Sequence, residues 1–322
     1  SGEEAFGRAD LLLKVGTPTL EEYALLREGQ MLFSFLRPVV IPKAGFEALI
    51  ERRVAAVAME LIEDGRGRRP VLDAISEIAG PMAIHIAADL LRSGAGGRGI
   101  LLAGAPGVAP ASVVILGAGA VGTAAARTAI GVGAQVLVLD IDRARLRRIG
   151  DLTWSRVTTL TADEYHIAKA ARFADVLICC AAARAERTPH LITEAMVKSM
   201  KPGAVILDLS IDQGGTIEHG RPTTLDHPTY IRHGAVHYAV PNMTADVART
   251  ATQALSNTVL PYVLETADRG LAAACSHDPG LARGLVTAGG GCFQPTIANQ
   301  FGVEAADPST MVAALGEAPV HG

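Results

Sequence analysis

One continuous segment, residues 112–142, constrains the fold more than any other part of the chain. It reads "SVVILGAGAVGTAAARTAIGVGAQVLVLDID": an apolar strand, a glycine-rich turn, an alanine-rich helix and a second apolar strand. Gly117, Gly119 and Gly122 form G-x-G-x-x-G between the first strand and the helix. The first glycine permits the tight turn, the second lets the backbone approach a pyrophosphate, and the third lets the helix pack on the strand. The segment therefore predicts a dinucleotide-binding βαβ unit.

The end of the second strand carries the residue that selects the cofactor. Asp140 follows Gly122 at the spacing where a carboxylate accepts hydrogen bonds from the adenosine ribose of NAD. A carboxylate here disfavours the 2′-phosphate of NADP, although Arg143 and Arg145 could soften that preference. These arginines could equally be a solvated helix start. We therefore expect NAD as the cofactor, with NADP less favoured.

Strand-length apolar runs alternate with helix-length segments along the rest of the chain, which is typical of α/β proteins. The predicted fold is a Rossmann-type doubly wound parallel sheet with a second α/β domain. The flexible connection "GAGGRG", residues 94–99, places a domain boundary near residue 94. The tail from Asp278 onward is glycine-rich and looks less regular.

The composition indicates a small-molecule ligand. Twenty-nine basic and 33 acidic residues give a formal net charge of −4 without a basic stripe, so we expect no nucleic-acid partner. The four cysteines lack the spacing of a zinc site and read as free thiols in a reducing cytoplasm, so we predict no metal site and a cytoplasmic location. We found no uninterrupted apolar run of membrane-spanning length and no signal peptide, and therefore expect no membrane partner.

Nine stretches spread over nearly the whole chain resemble the alanine dehydrogenase and pyridine nucleotide transhydrogenase family, and the later ones are nearer the alanine dehydrogenase branch. They are "ADLLLKV", "EEYALLREGQMLFSFL", "ISEIAG", "GGRGILLAGAPGVAPASVVILGAGAVGT", "VTTLTADEY", "MVKSMKPGAVILDLSIDQGG", "RPTTLDHPTY", "VHYAVPNM" and "ALSNTVLPYVLE".

The resemblance implies a site. Cofactor contacts would be Ser76, Gly117, Gly119, Gly122, Asp140, Arg145 and Ala181, while Asp212 and Asn242 would line the nicotinamide and the reaction centre. Asp212 also follows a predicted strand, where open α/β sheets place ligands, but an aspartate before Gln-Gly-Gly could simply form a turn. The resemblance further implies a homo-oligomer. It also implies that the second domain is a substrate domain that is discontinuous in sequence, so we place the substrate domain at residues 1–94 and 258–322 and the NAD-binding domain at residues 95–257.

Several substrate contacts depart from the family. The resemblance places an acid/base histidine where this chain has Arg37, and a carboxylate-binding lysine where it has Gly16. The family's carboxylate-binding arginine belongs to a segment that would precede residue 1. The "AAARAER" segment, residues 181–187, replaces larger side chains beside the nicotinamide and adds Arg184 and Arg187. An arginine stays protonated and cannot exchange a proton near neutral pH, so we expect Arg37 either to bind a substrate anion or to be a solvated strand end.

Two hypotheses follow. The first is an NAD-dependent amino-acid dehydrogenase or imine reductase-like enzyme that acts on an amino-acid-like or keto-acid-like substrate other than plain alanine, with Asp212, Arg37 and Asn242 in the catalytic site. The alternative is a non-catalytic NAD-binding sensor or scaffold derived from an alanine dehydrogenase. The intact "SIDQGG" and "VPNM" motifs favour the enzyme, whereas the changed substrate contacts favour the binder.

Overall fold

The computed structural model describes residues 1–38, 40–181, 189–307 and 310–316, and the chain divides into two compact units. The first unit comprises Ser1–Ala74 and Thr252–Gly322, and the second comprises Ile75–Ala251. The first unit is therefore discontinuous in sequence. The divisions at 74/75 and 251/252 lie earlier along the chain than the predicted boundaries at 94/95 and 257/258, and most of one long helix, Pro70–Leu90, belongs to the second unit.

The described part of the chain contains twelve strands and thirteen α-helices. The strands are β1 (Leu11–Lys14), β2 (Met31–Ser34), β3 (Ala55–Ala58), β4 (Ser112–Leu116), β5 (Gln135–Asp140), β6 (Thr158–Thr161), β7 (Val176–Cys179), β8 (Val205–Asp208), β9 (Thr229–Arg232), β10 (Ala235–Tyr238), β11 (Leu285–Ala288) and β12 (Gly291–Cys292). The helices are α1 (Gly2–Arg8), α2 (Leu20–Leu25), α3 (Lys43–Glu51), α4 (Pro70–Leu90), α5 (Ala120–Gly131), α6 (Arg143–Leu152), α7 (Glu164–Phe173), α8 (Glu194–Ser199), α9 (Ala248–Arg269), α10 (Leu271–His277), α11 (Pro279–Gly284), α12 (Pro295–Phe301) and α13 (Met311–Gly316).

The first unit is built on a five-stranded sheet in the order β1-β2-β3-β11-β12. Strands β1, β2 and β3 are parallel, while β11 runs antiparallel to β3 and β12 antiparallel to β11. The core of the unit includes Leu32, Phe46 and Leu49, and the ring of Phe46 stacks on that of Phe301 with centroids 4.3 Å apart. The carboxyl ends of β1, β2 and β3 therefore meet at one edge of the sheet.

The second unit has the predicted doubly wound sheet, in the order β6-β5-β4-β7-β8-β10-β9. All neighbouring strands are parallel except β9, which runs antiparallel to β10. Apolar cores cover both faces, with Val113 and Ile115 in one and Val114 and Leu116 in the other. Burial on both faces explains why these strands read as continuous apolar runs without alternation.

Helix α4 is the most apolar long helix. Its mean hydropathy of 1.3 over a membrane-length window would suit a bilayer by length and composition alone, and it is the one helix of the described residues that passes this test. Its residues Ala83, Ile84 and Ala87 lie in the core of the second unit. These three residues pack in the core of a folded domain.

The region after Asp278 is more regular than its glycines suggested. It contains α11, β11, β12 and α12, and the four residues of β11 are all buried. Strand β11 pairs with β3, which lies more than two hundred residues earlier in the sequence. That distant partner, rather than a local pattern, determines the strand.

Candidate active site

The glycine-rich turn lies between β4 and α5, as the sequence predicted. Gly117 has a φ of 108°, a conformation that favours glycine, and its amide donates to the carbonyl of Leu139 at 2.7 Å. A Cβ at Gly122 would stand 1.8 Å from the carbonyl oxygen of Gly117, so only glycine lets α5 pack so closely on the turn. A Cβ at Gly119 would meet no atom within 4 Å. The open space at Gly119 is where a ligand can approach the backbone.

Helix α5 begins directly after Gly119, which is its N-cap and provides no side chain to cap the helix. The first amides of a helix point outward and carry a partial positive charge, so they favour a phosphate group. The turn and the helix start therefore fit the pyrophosphate of a dinucleotide.

Asp140, the last residue of β5, is buried with 6% of its surface exposed. Its Oδ2 accepts a hydrogen bond from the amide of Ala118 at 2.6 Å, and its Oδ1 accepts one from the amide of Asp142 at 2.8 Å. In the guanidinium of Arg145, Nη1 lies 3.9 Å from Asp140 Oδ2 and Nε lies 3.5 Å from Asp142 Oδ2. The structure thus brings the predicted ribose carboxylate, the glycine turn and Arg145 together.

Ala181 follows β7 at the same edge of the sheet. Its backbone nitrogen would lie 2.9 Å from a Cβ placed on Gly117, and its carbonyl accepts a hydrogen bond from Ser210 Oγ at 2.9 Å. The thiol of the preceding Cys180 donates to the carbonyls of Leu116 and Gly117 at 3.2 and 3.4 Å. Burial raises the pKa of Cys180 to about 12, so this thiol remains neutral. Arg184 and Arg187 lie outside the described residues.

Ser76 lies on α4 and is buried with 9% exposed. Four residues later, a Cβ at Gly80 would stand 2.6 Å from the backbone of Ala125 and of Val121 in α5. The glycine of "ISEIAG" thus allows α4 to lie directly against the helix that begins at the glycine turn.

Asp212 lies in a single 3-10 turn, Ile211–Gln213, immediately after β8, and it is half-buried. The loop that carries it is held by Asp208, a residue that the sequence reasoning missed. The carboxylate of Asp208 accepts hydrogen bonds from the amides of Ser210 at 3.1 Å and Thr216 at 2.9 Å. Burial raises the pKa of Asp208. The sequence signal for Asp208 was its position as a carboxylate at the end of an otherwise apolar strand.

Asn242 follows β10, which is parallel to β8, so both motifs lie at the carboxyl edge of the sheet. Asn242 is exposed, and its φ of 56° places it in the left-handed region that asparagine tolerates better than most residues. Thr244 Oγ1 donates to Asn242 Oδ1 at 3.3 Å. The side chain is therefore oriented by its own turn.

In the first unit, Gly16 and Arg37 follow β1 and β2 at the shared carboxyl edge of the sheet. Ser34 Oγ donates to the carbonyl of Gly16 at 2.8 Å, and a Cβ at Gly16 would meet no atom within 4 Å. Arg37 is half-buried, and its amide donates to Glu60 Oε1 at 2.6 Å. Glu60, which follows β3, was also missed, although its place directly after a buried strand was a signal.

Among the described residues, no group of three His, Cys, Asp or Glu side chains could hold a metal ion.

The parallel sheet with its glycine turn, helix start and ribose carboxylate defines a nucleotide-binding protein of the Rossmann class. Residues 1–79 match the alanine dehydrogenase/PNT N-terminal domain, and residues 83–295 match the corresponding C-terminal domain. The chain belongs to the alanine dehydrogenase/PNT family.

Individual relatives agree with this assignment. The chain is 44% identical to the alanine dehydrogenase of Methanococcus maripaludis over 90% of this chain and 78% of that protein. It is 42% identical to that of Mycobacterium tuberculosis over 97% and 84%, and 43% identical to that of Bacillus subtilis over 92% and 78%. These similarities make the protein an NAD-dependent oxidoreductase of the alanine dehydrogenase type.

Solved structures show the same fold. An L-alanine dehydrogenase superposes with a TM-score of 0.85 at 39% identity, covering 94% of this chain and 83% of that one. A transhydrogenase from Sinorhizobium meliloti superposes with a TM-score of 0.72 at 23% identity, covering 92% and 82%, a similarity that shows the fold alone.

Proposed function

We propose that this protein moves hydride to or from the carbon of a C–N or C=O group in an amino-acid-like or keto-acid-like anion other than plain alanine. The observation that carries the proposal is the carboxyl edge of β1–β3, where Arg37 and Gly16 stand in place of the histidine and lysine that the family resemblance predicts. This edge retains a cation for a carboxylate but has lost two proton-bearing side chains.

Arg37 supplies the anion contact in this proposal. An arginine side chain carries a permanent positive charge and presents donors in a planar fork that matches a carboxylate. The same group can polarise a keto oxygen. It cannot deliver a proton and recover it in each cycle, which is the task of the histidine in the family.

Asp212 and Asn242 are proposed to act at the reacting carbon. Asp212, on a turn braced by Asp208, would accept or return a proton through water and would stabilise a positively charged iminium. Asn242 would orient the substrate or the nicotinamide carboxamide. Bound NAD supplies the hydride acceptor or donor, while the glycine turn and Asp140 hold and orient it.

Imine reduction suits these residues better than alanine oxidation. An iminium carbon is already electrophilic, so its reduction needs no strong acid beside the oxygen or nitrogen. A keto acid, by contrast, needs a proton for its oxygen. The replacement of histidine by Arg37 therefore favours a substrate that arrives as an imine, formed from a keto acid and an amine.

The second candidate is a non-catalytic NAD-binding sensor or scaffold derived from an alanine dehydrogenase. The same replacements at positions 16 and 37 favour it, since they remove side chains that catalysis uses in the family. The braced turn at Asp212 disfavours it.

We test these alternatives by following NADH oxidation with a panel of 2-keto acids, each with and without ammonia or primary amines. Amine-dependent turnover that is lost in Asp212→Asn and changes selectivity in Arg37→His supports the dehydrogenase or imine reductase. The matched controls are the exposed residues Asp226 and Arg8, as Asp226→Asn and Arg8→His, which should behave like wild type. Tight NADH binding without turnover on any substrate supports the sensor or scaffold.

Three further properties are proposed from the family resemblance and the composition: preference for NAD over NADP, assembly as a homo-oligomer, and a cytoplasmic location. Comparative NADH and NADPH titration tests the first. Light scattering at several protein concentrations tests the second, and fractionation of the source cells tests the third.

A further inference from the structure

Glu60 is a buried acidic group to which the proposed mechanism gives no task. It lies in a single 3-10 turn, Met59–Leu61, directly after β3. Its Oε1 accepts the amide of Arg37 at 2.6 Å, whereas its Oε2 is buried and has no hydrogen-bond partner in the described part of the chain. A buried carboxylate oxygen without a partner is costly, so such a group is usually kept for a function.

Two described groups interact with the charge of Glu60. Arg37 favours the ionised form of Glu60, and the charge of Glu60 acts on Tyr23 of α2. The Tyr23 ring packs on Gly45 of α3, where a Cβ would stand 2.7 Å from the ring. The Tyr23 hydroxyl is buried without a partner, and burial together with the charge of Glu60 raises its pKa. Glu22, which precedes Tyr23 in sequence, forms an ion pair with Lys14, in which Lys14 Nζ lies 2.9 Å from Glu22 Oε1.

Arg37 is held in an unfavourable backbone conformation. Its φ is 47°, in the left-handed region, which is unfavourable for a residue that carries a side chain. The hydrogen bond from its amide to Glu60 offsets that cost. The direction in which the Arg37 side chain leaves the sheet therefore depends on Glu60.

We propose that Glu60 is a positioning residue for Arg37, which holds its backbone by the amide hydrogen bond and, when ionised, weakens the attraction of its guanidinium for a substrate carboxylate. The inference rests on the proposed function of Arg37 as the carboxylate contact.

A dependence of substrate affinity on pH follows. Burial raises the pKa of Glu60 to about 7, so its charge changes within the neutral range. Below that pH Glu60 is neutral and no longer competes with the substrate for Arg37. Above it, the carboxylate of Glu60 competes with the substrate. We expect the Kd of a 2-keto acid to rise about fivefold between pH 6 and pH 8.

The test is calorimetric titration of pyruvate into the NADH-loaded full chain at pH 6, 7 and 8, which needs no turnover. Glu60→Gln keeps an acceptor oxygen for the amide of Arg37 but removes the charge. The Kd of pyruvate for this variant should therefore stay near the wild-type Kd at pH 6 at all three pH values. Glu60→Ala removes the acceptor and should weaken binding at every pH. Glu60→Asp, which retains a carboxylate, should recover part of the wild-type dependence on pH. The control Glu47→Gln removes an exposed carboxylate of α3 and should match wild type.

Equal pH dependence in wild type and Glu60→Gln, or a wild type without pH dependence, overturns the inference, as does the absence of pyruvate binding at every pH. The pH dependence of pyruvate binding is also measured in the wild type. A variant that fails to fold therefore does not invalidate the test. Where turnover can be measured, we expect KM to change with pH and with Glu60→Gln more than kcat does. pH-dependent binding without turnover on any substrate would refute the proposed reaction while leaving the role of Glu60 supported.

Discussion

The amide of Ala118 donates a 2.6 Å hydrogen bond to Oδ2 of Asp140, which ties the glycine turn to the end of the neighbouring strand. Asp140 is therefore a part of the turn. The residue that we propose to select the cofactor also shapes the loop that we propose to bind the phosphates of the cofactor.

Asp140→Asn should raise the Kd of NADH at least about tenfold, because one ribose acceptor becomes a donor and the Ala118 amide loses its charged partner. The preference for NADH over NADPH should fall at the same time, since the charge that repels a 2′-phosphate is gone. Fluorescence titration with both nucleotides measures this. Asp151→Asn, an exposed residue of α6, is the control. Unchanged NADH affinity in Asp140→Asn would contradict the assigned role.

Two glycines of the turn should respond differently to alanine. Gly122→Ala places a Cβ 1.8 Å from the Gly117 carbonyl, so the turn must move and both the melting temperature and NADH affinity should fall. Gly119→Ala adds a methyl group into open space at a φ of −73°, so the protein should fold normally but bind NADH more weakly. Thermal unfolding with NADH titration separates the two effects. Normal NADH binding by Gly119→Ala would show that the nucleotide does not approach the backbone there.

The contact between α4 and α5 predicts a stability difference. Gly80→Ala should destabilise the protein by about 1–3 kcal/mol, because its Cβ would lie 2.6 Å from backbone atoms of α5 that cannot easily move. Gly131→Ala, at the exposed end of α5, meets no atom within 4 Å and should be neutral or stabilise by less than about 1 kcal/mol. Urea unfolding of both variants provides the comparison. Equal stability of the two would mean that the helices do not pack this closely in solution.

The environment of His237 predicts that acid lowers the stability of the protein. His237 is buried in β10, and its ring stacks on Tyr230 with centroids 4.8 Å apart. Burial lowers the pKa of His237 to about 4 from the ordinary value of 6.5. The unfolded chain therefore binds a proton before the folded chain does, and stability falls as the pH drops below 6.5.

Between pH 7.5 and pH 5 the lowered pKa of His237 should reduce the free energy of unfolding by about 2 kcal/mol. His237→Phe keeps a ring on Tyr230 but cannot take up the proton, so it should unfold less readily than wild type at pH 5 and show a smaller loss between the two pH values. Chemical unfolding at both pH values measures the difference. An identical loss in wild type and variant would exclude His237 as its source.

Local sequence patterns predicted the parts of the molecule that depend on interactions between residues close together in sequence. The glycine turn, the helix after it and the position of Asp140 all follow from residues less than thirty positions apart, and the structure contains each of them. The apolar strands of the doubly wound sheet were recognisable because burial on both faces demands continuous apolar side chains. Strand β9 was not recognised, because it is a short edge strand whose pairing with β10 is not visible in its own residues.

The sequence by itself determined the α/β class, the nucleotide-binding turn and the family resemblance, because each depends on side-chain type and spacing along the chain. Only the tertiary structure decided that Asp208 braces the turn carrying Asp212, that β11 completes a sheet begun at the other end of the chain, and that Arg37 is held by Glu60. These features depend on which strand ends become neighbours. Parallel strands bring together residues that are far apart in sequence, so no local pattern records their contact.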